Sequence, residues 1–331
     1  MTKPATLAAL KAHLFPGRKN SAGIDLADPL VREPLLKRLE ELRGRQWEAS
    51  PTFKAEVPGE IAPITAPFDH GMRIGTRRDA SAEEVEDAIT RAEAIQPGWD
   101  RLGGEKRAVL LEAAADLFEE HTDEFLSLCQ REAGKTLMDA VLELREAVDF
   151  LRFYANEARR QFTGPIPLPG PTGEENRLSL HGRGVFACIS PWNFPLAIFI
   201  GTPAAALAAG NTVVAKPAEQ TPLIAARAVA LLHEAGIPVE ALQLLPGDGP
   251  GVGAPLVASP DIAGVCFTGS TAVAKGIERQ MAQTAAPDAM LIAETGGLNA
   301  MVVDSTALPE QAVRDILASA FQSAGQRCSA L

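Results

Sequence analysis

The sequence is poor in aromatic residues, at 5% of 331, with one tyrosine and three tryptophans. Its core must therefore be mostly alanine, leucine, valine and isoleucine. Cysteine is scarce as well. Cys129, Cys188, Cys266 and Cys328 are widely scattered, and so are the five histidines. No pair has zinc-ligand spacing and nothing resembles a disulfide framework. No metal is expected, and a reducing, cytoplasmic setting is the natural reading. Positive charge is in deficit, with a formal net charge of −11. Nucleic-acid backbones and anionic membranes need clustered lysine and arginine, so neither is an expected partner. The first twenty residues, MTKPATLAALKAHLFPGRKN, have no long apolar run and no cleavage site, and no signal peptide is expected. Between Arg183 and Lys216 no residue is charged, a length that raises a membrane span. Pro191, Asn193, Pro195, Pro203 and Asn211 interrupt it. They would leave backbone groups unsatisfied in lipid, so a buried strand, loop, helix and strand is expected instead.

Several signatures are missing. There is no G-x-S-x-G elbow, no H-E-x-x-H and no G-x-G-x-x-G; the glycine-rich run over 247–253 has the wrong spacing. The GKT at 134–136 looks like the tail of a P-loop. Cys129 stands where that loop needs glycine and a helix runs where it needs a strand, so a helix–helix turn is expected.

What is present is a globular composition, 46% hydrophobic and 22% charged, in a chain long enough for two or three units. Residues 1–65 are rich in proline and charge and read as an N-terminal arm. Within it, 29–45 is expected to be a solvated charged face rather than a helix. Ser81 followed by Glu84 is a capping box, opening a helix that should end before Pro97 and Gly98. Leu110, Ala113, Ala114, Leu117 and Phe118 form one apolar helix face. Leu137, Val141, Leu144, Val148 and Leu151 form another, on a helix reaching about Arg160. The Pro/Gly-rich stretch 163–182 suits an exposed hairpin.

From Gly184 the period changes. GVFACIS, TVVAKP, LQLLPG, AGVCFTGS, MLIAE and AMVVD read as strands, separated by helical stretches. A last helix is expected from Pro309 to about Ala324. This alternation predicts an α/β fold with a doubly wound parallel sheet, and ligands on such sheets bind at the strands' carboxyl ends. Those ends carry polar motifs: SPWNFP at 190–195, KPAEQTP at 216–222, FTGS at 267–270 and ETGG at 294–297. GQRCS, containing Cys328, follows at 325–329. Each alone has an ordinary reading as a turn, a rim charge or a helix cap.

In this order they resemble the aldehyde dehydrogenase superfamily over residues 66–331. The run CQREAGKTLMDAVLELREAVDFLRFYANEARRQF, the Asn-Ser-x-Gly-x-Asp-Leu at 20–26 and ETGGLNAMVVD are similar to one branch. That branch is the L-glutamate γ-semialdehyde dehydrogenase module of bacterial proline utilisation A proteins. The resemblance implies NAD-dependent oxidation of the semialdehyde to glutamate. Aldehyde oxidation by hydride transfer first needs a nucleophile on the carbonyl, and a thiolate suits because water can later cleave the thioester. Cys328 is implied as that nucleophile, with Arg327 beside it to favour the thiolate. The other three cysteines sit in helical or apolar stretches and read as buried structural residues. Asn193, with the backbone N–H of Cys328, is implied as the oxyanion hole, and Glu294 as the base for water.

For the cofactor, the resemblance assigns Lys216 and Glu219 to the adenosine ribose. Glu219 would repel a 2′-phosphate, which favours NAD over NADP. Ser270, with Gly269, would meet the pyrophosphate at a helix N-terminus, and Phe267 is assigned to the cofactor site as well. Ile189, Pro191 and Trp192 would line the channel, Gly249 and Gly253 would admit backbone close to the nucleotide, and Thr295 and Gly296 complete the set. The implied domains are a NAD-binding domain over 66–292, with 163–182 as an oligomerisation hairpin, and the start of a catalytic domain over 293–331. Family members continue past the nucleophile. The chain is thus expected to be C-terminally truncated and inactive by itself, and the longer protein a homo-oligomer acting on a small aldehyde. Two alternatives stand beside this: another aldehyde dehydrogenase, such as one for succinate semialdehyde, and a non-catalytic nucleotide-binding fragment.

Overall fold

The computed structural model describes residues 17–53 and 60–331. Helix α1 (Pro29–Glu41) is followed by β1 (Trp47–Ala49), β2 (Ile61–Ala66) and β3 (Asp69–Arg78). Four helices come next: α2 (Ala82–Arg101), α3 (Gly104–Glu120), α4 (Thr122–Ala133) and α5 (Leu137–Phe162). The hairpin β4 (Ile166–Leu168) and β5 (Asn176–Leu178) precedes β6 (Val185–Ile189), α6 (Ala197–Ala208), β7 (Thr212–Lys216), α7 (Pro222–Glu234) and β8 (Leu242–Leu244). The chain ends with α8 (Ala254–Ala258), β9 (Ile262–Gly269), α9 (Thr271–Thr284), β10 (Met290–Thr295) and α10 (Pro309–Phe321).

The main sheet has five parallel strands in the order β10-β9-β6-β7-β8. The chain runs outward from β6 through β7 to β8, then crosses back to β9 and on to β10. The order therefore reverses between β6 and β9, the place where a doubly wound sheet opens a crevice at its carboxyl edge. Strands β6, β7 and β8 are buried along their whole length, which is why their sequences are mostly apolar; the polar Thr212 and Gln243 donate to backbone carbonyls of α2. Side chains alternate between faces. Val185, Ala187 and Ile189 join one core with residues of α2, α8 and α9, while Phe186 and Cys188 join another with α5, α6 and α7.

The capping box at Ser81 and Glu84 forms in both directions, and Glu84 also meets the buried Arg78 guanidinium at 2.6 Å. Two helix ends differ from expectation. Helix α2 runs through Pro97 to Arg101, so the proline sits inside it. Residues 29–41 form a helix where a solvated charged face is the expectation, because Asp28 accepts from the Leu30 N–H, Pro29 opens the first turn and Leu35 is buried. On α3 the buried face is Ala108, Leu111, Ala114, Ala115 and Phe118, a small rotation from the expected stripe; Leu110 and Leu117 are only partly buried against the same core.

The Pro-rich start also holds strands that the sequence did not announce. Trp47–Ala49 pairs in parallel with β3, and β2 pairs antiparallel with it. Pro63 is tolerated there because β2 lies on the edge of this small sheet. The opposite error occurs late in the chain. AMVVD is not a strand: residues 300–304 have no regular structure and Val302 is 94% exposed. A strand needs a neighbour for its backbone groups, and among the described residues none pairs with this stretch. Helix α10 forms where expected, yet none of its residues is buried. Among the described residues, no helix is long and apolar enough to cross a membrane.

Candidate active site

Five parallel strands deliver their last residues or the loops after them to one edge, and a cleft of about 1150 Å³ opens there. Its wall includes Ile189, Pro191, Trp192 and Asn193 after β6, Lys216 and Glu219 after β7, and Gly249 and Gly253 after β8. Phe267, Gly269 and Ser270 come from β9, Glu294, Thr295 and Gly296 from β10, and Cys328 from the final loop. Every residue singled out in the sequence thus reaches the same cavity. Parallel pairing accounts for much of this. Glu294 stands opposite Thr268 and Thr295 opposite Gly269, while Ile189 is flanked by Lys216 and Phe267.

The β7 corner is the most built part. Lys216 is 3% exposed, and its Nζ donates to the Pro217 carbonyl at 3.0 Å and lies 3.8 Å from the Glu219 carboxylate. Burial pulls its ammonium below the ordinary lysine value, against the attraction of Glu219 and Asp248. Arg77, paired with Asp79, donates to the Glu219 carbonyl at 2.7 Å and pins the turn from below. Gly253 rests on the Lys216 stem, where a β-carbon would lie 3.5 Å from Cδ, an ordinary contact. Gly249 is open: a β-carbon there meets nothing within 4 Å, so the protein itself does not demand glycine. The hydroxyl of Ser190 is buried on the cleft wall and has no hydrogen-bond partner among the described residues.

Across the cleft, Ser270 caps α9, its Oγ accepting from the Val273 N–H at 3.3 Å. The first turn of this helix faces the cavity through Val273. Gly269 is required by packing, since a β-carbon would fall 2.5 Å from the Phe267 ring. Gly269→Ala is therefore expected to displace that buried ring, at a cost of about 1–3 kcal/mol in stability. Urea unfolding checks this, with an unchanged midpoint as the contrary result.

The nucleophile loop is reached through Asn193, whose side-chain N–H donates to the Gln326 carbonyl at 3.0 Å. The amide carries a second N–H, so the residue both holds the loop and keeps a donor. Asn299 fixes the other side, donating to the carbonyls of Cys328 at 2.6 Å and Ala330 at 2.8 Å. Cys328 is exposed, whereas Cys129, Cys188 and Cys266 are buried. Burial raises the Cys129 and Cys188 thiols well above the ordinary value. The Arg327 guanidinium, next in sequence to the thiol, donates to the Ala318 and Ser319 carbonyls, at 2.7 and 2.6 Å, at the end of α10.

A smaller cavity of about 290 Å³ adjoins the other side of Cys328, lined by Lys135, Glu146, Phe194 and Ile198 among others. Sequence reasoning missed Ser190 and Arg77, and also the α9 lining by Val273, Gly276 and Ile277. A small residue on a helix face carries no signal until its neighbour is known. Among the described residues there is no group of three or more His, Cys, Asp or Glu suited to a metal.

A family profile described as the aldehyde dehydrogenase family matches residues 54–331. The bifunctional protein PutA of Klebsiella aerogenes is 49% identical over 319 residues, 95% of this chain and 23% of that protein. A 1-pyrroline-5-carboxylate dehydrogenase of Anoxybacillus flavithermus is 40% identical over 284 residues, 85% of this chain and 52% of that one. Among solved structures, 1-pyrroline-5-carboxylate dehydrogenase from Thermus with bound NAD superposes with a TM-score of 0.88 at 30% identity, covering 94% of this chain and 62% of its own. The chain therefore spans about a quarter of the first relative's length and about half of the second's.

Proposed function

This chain belongs to the aldehyde dehydrogenase family, and we propose that it carries the NAD site and the nucleophile for oxidising L-glutamate γ-semialdehyde to L-glutamate. The carrying observation is the convergence of Asn193, Glu294 and Cys328 on one cleft with the Lys216–Glu219 corner and the α9 N-terminus. The residues fit a dinucleotide. A buried ammonium, a partnerless serine hydroxyl and a helix start with free N–H groups are the donors that hydroxyls and a pyrophosphate need. NAD, when bound, supplies the hydride acceptor. Substrate choice rests on the names of the relatives, PutA and 1-pyrroline-5-carboxylate dehydrogenase.

In this reading the Cys328 thiolate adds to the aldehyde carbon, and the second N–H of Asn193 with the Cys328 backbone N–H holds the resulting oxyanion. After oxidation the carbon is a thioester. Glu294 takes a proton from water, the hydroxide displaces sulfur, and the carboxylate leaves with Cys328 regenerated. Lys216 and Glu219 take the adenosine ribose. Glu219→Gln is expected to shift the NAD-to-NADP affinity ratio about tenfold toward NADP, roughly 1.4 kcal/mol. Titration calorimetry with both nucleotides measures it, and an unmoved ratio contradicts the assignment. Residues 66–292 are proposed as the NAD-binding domain, with the β4–β5 hairpin as an oligomer contact, and 293–331 as the start of the catalytic domain.

A second reading is favoured by one observation: Cys328 and Glu294 are exposed and no residue of α10 is buried. In that case the chain binds NAD and completes no turnover by itself. Titrating NAD and then adding glutamate γ-semialdehyde or succinate semialdehyde separates the cases. Binding with NADH formation supports the enzyme, binding without it supports the second reading, and no binding refutes both.

A further inference from the structure

The EAGKT run at the α4–α5 junction has no place in the chemistry above, yet its Glu132 is buried, and so is Glu143 on the helix that follows. Glu132 and Glu143 are 3% and 1% exposed. Gly134 ends α4 in the left-handed region, at φ 66°, and Thr136 caps α5 by accepting from the Asp139 N–H. The turn between them sends Lys135 inward to the Glu143 carboxylate at 2.8 Å, with its ammonium 4.4 Å from the centre of the Phe194 ring.

The two carboxylates spend their oxygens on the starts of two other helices. Glu132 accepts from the Leu223 N–H at 2.6 Å and the Ile224 N–H at 2.9 Å, the first turn of α7. Glu143 accepts from the Leu196 N–H at 2.8 Å and the Ala197 N–H at 3.3 Å, the first turn of α6. Helix starts expose unpaired N–H groups and the positive end of the dipole, which favour a carboxylate there and offset part of the burial that pushes the Glu132 carboxyl up to about 8 and the Glu143 carboxyl above its ordinary value. Each helix start is also the end of a strand-edge loop. The loop before α7 carries Lys216 and Glu219, and the loop before α6 carries Trp192 and Asn193. Burying a carboxylate is costly, and an apolar residue would fill the same space without that cost. Two such groups, one under each loop, point to a role beyond packing.

We propose that Glu132 and Glu143 are positioning residues that set the two halves of the cleft separately: Glu132 the nucleotide corner, through α7, and Glu143, braced by Lys135, the Asn193 loop and through it the Gln326–Cys328 segment. The inference rests on the functional reading for what the loops bind, but not for which loop each residue holds. A purely structural role would loosen both halves alike through general stability. The proposal predicts a split.

The experiment uses Glu132→Gln and Glu143→Gln in the full chain, with Glu132→Asp and Glu143→Asp as milder variants that keep the charge should either amide fail to fold. Amide hydrogen exchange is followed by mass spectrometry and NAD affinity by calorimetry. Glu132→Gln is expected to speed exchange at Leu223 and Ile224 and to weaken NAD about tenfold, leaving Leu196 and Ala197 protected. Glu143→Gln is expected to speed exchange at Leu196 and Ala197 while NAD affinity stays within about twofold. The aspartates should reproduce the same split with smaller amplitude. Both variants opening both helix starts, or neither opening its own, overturns the proposal. If the unmodified chain binds no NAD, the functional reading fails and the exchange pattern alone decides.

Discussion

Cys328→Ala is expected to lower aldehyde-dependent NADH formation by at least about 10⁴-fold, because removing the nucleophile of a covalent mechanism removes its first step. NAD affinity should stay within about twofold, since the thiol stands at the rim of the nucleotide site. The other three cysteines give an internal control. Cys129, Cys188 and Cys266 are buried in one core and do not line the cleft of the motif residues. Serine at any of them should alter stability and spare the chemistry. A Cys328→Ala chain that still forms NADH at the native rate would assign the nucleophile elsewhere.

Asn193→Ala carries the second largest expected effect, about 10²–10³ in the rate of NADH formation, the usual consequence of deleting one donor to a developing oxyanion. The structure adds a reason for the upper part of that range. The same amide holds the Gln326 carbonyl, so its removal also frees the segment leading to Cys328. Asn193→Asp distinguishes the two contributions. It keeps the size but presents an acceptor to another acceptor at Gln326 and repels an oxyanion, so it should be no better than alanine. Stopped-flow measurement of NADH formation in both variants provides the check, and an aspartate variant near the native rate would contradict the assignment.

The sheet was legible because its code is local. Strands buried on both faces read as short apolar runs, and glycine, proline and helix caps separate them. The site was legible for a topological reason. Motifs about 25 to 50 residues apart in sequence must meet if each ends a parallel strand at one edge. The missed features share one property, that their logic is non-local. β1 is three residues long and exists because β3 lies beside it. AMVVD has the composition of a strand but no partner. Arg77 and Glu219 are 142 positions apart, and Glu132 meets Leu223 across 91. Buried acids of this kind look like solvated helix charges until the helix starts they cap are in view. Arg327 likewise makes contacts that its place in the sequence does not announce, to the Ala318 and Ser319 carbonyls.

The central claim is that Cys328 is the nucleophile of a cleft that also holds NAD. It is tested most directly by acid-quenching the chain with NAD and glutamate γ-semialdehyde, then mapping covalent adducts on its peptides by mass while NADH is read by absorbance. The account predicts an acyl adduct on Cys328 alone, formed in step with NADH. NADH appearing while Cys328 stays unmodified after alkylation-resistant quenching, or an adduct on another residue in step with NADH, would contradict it.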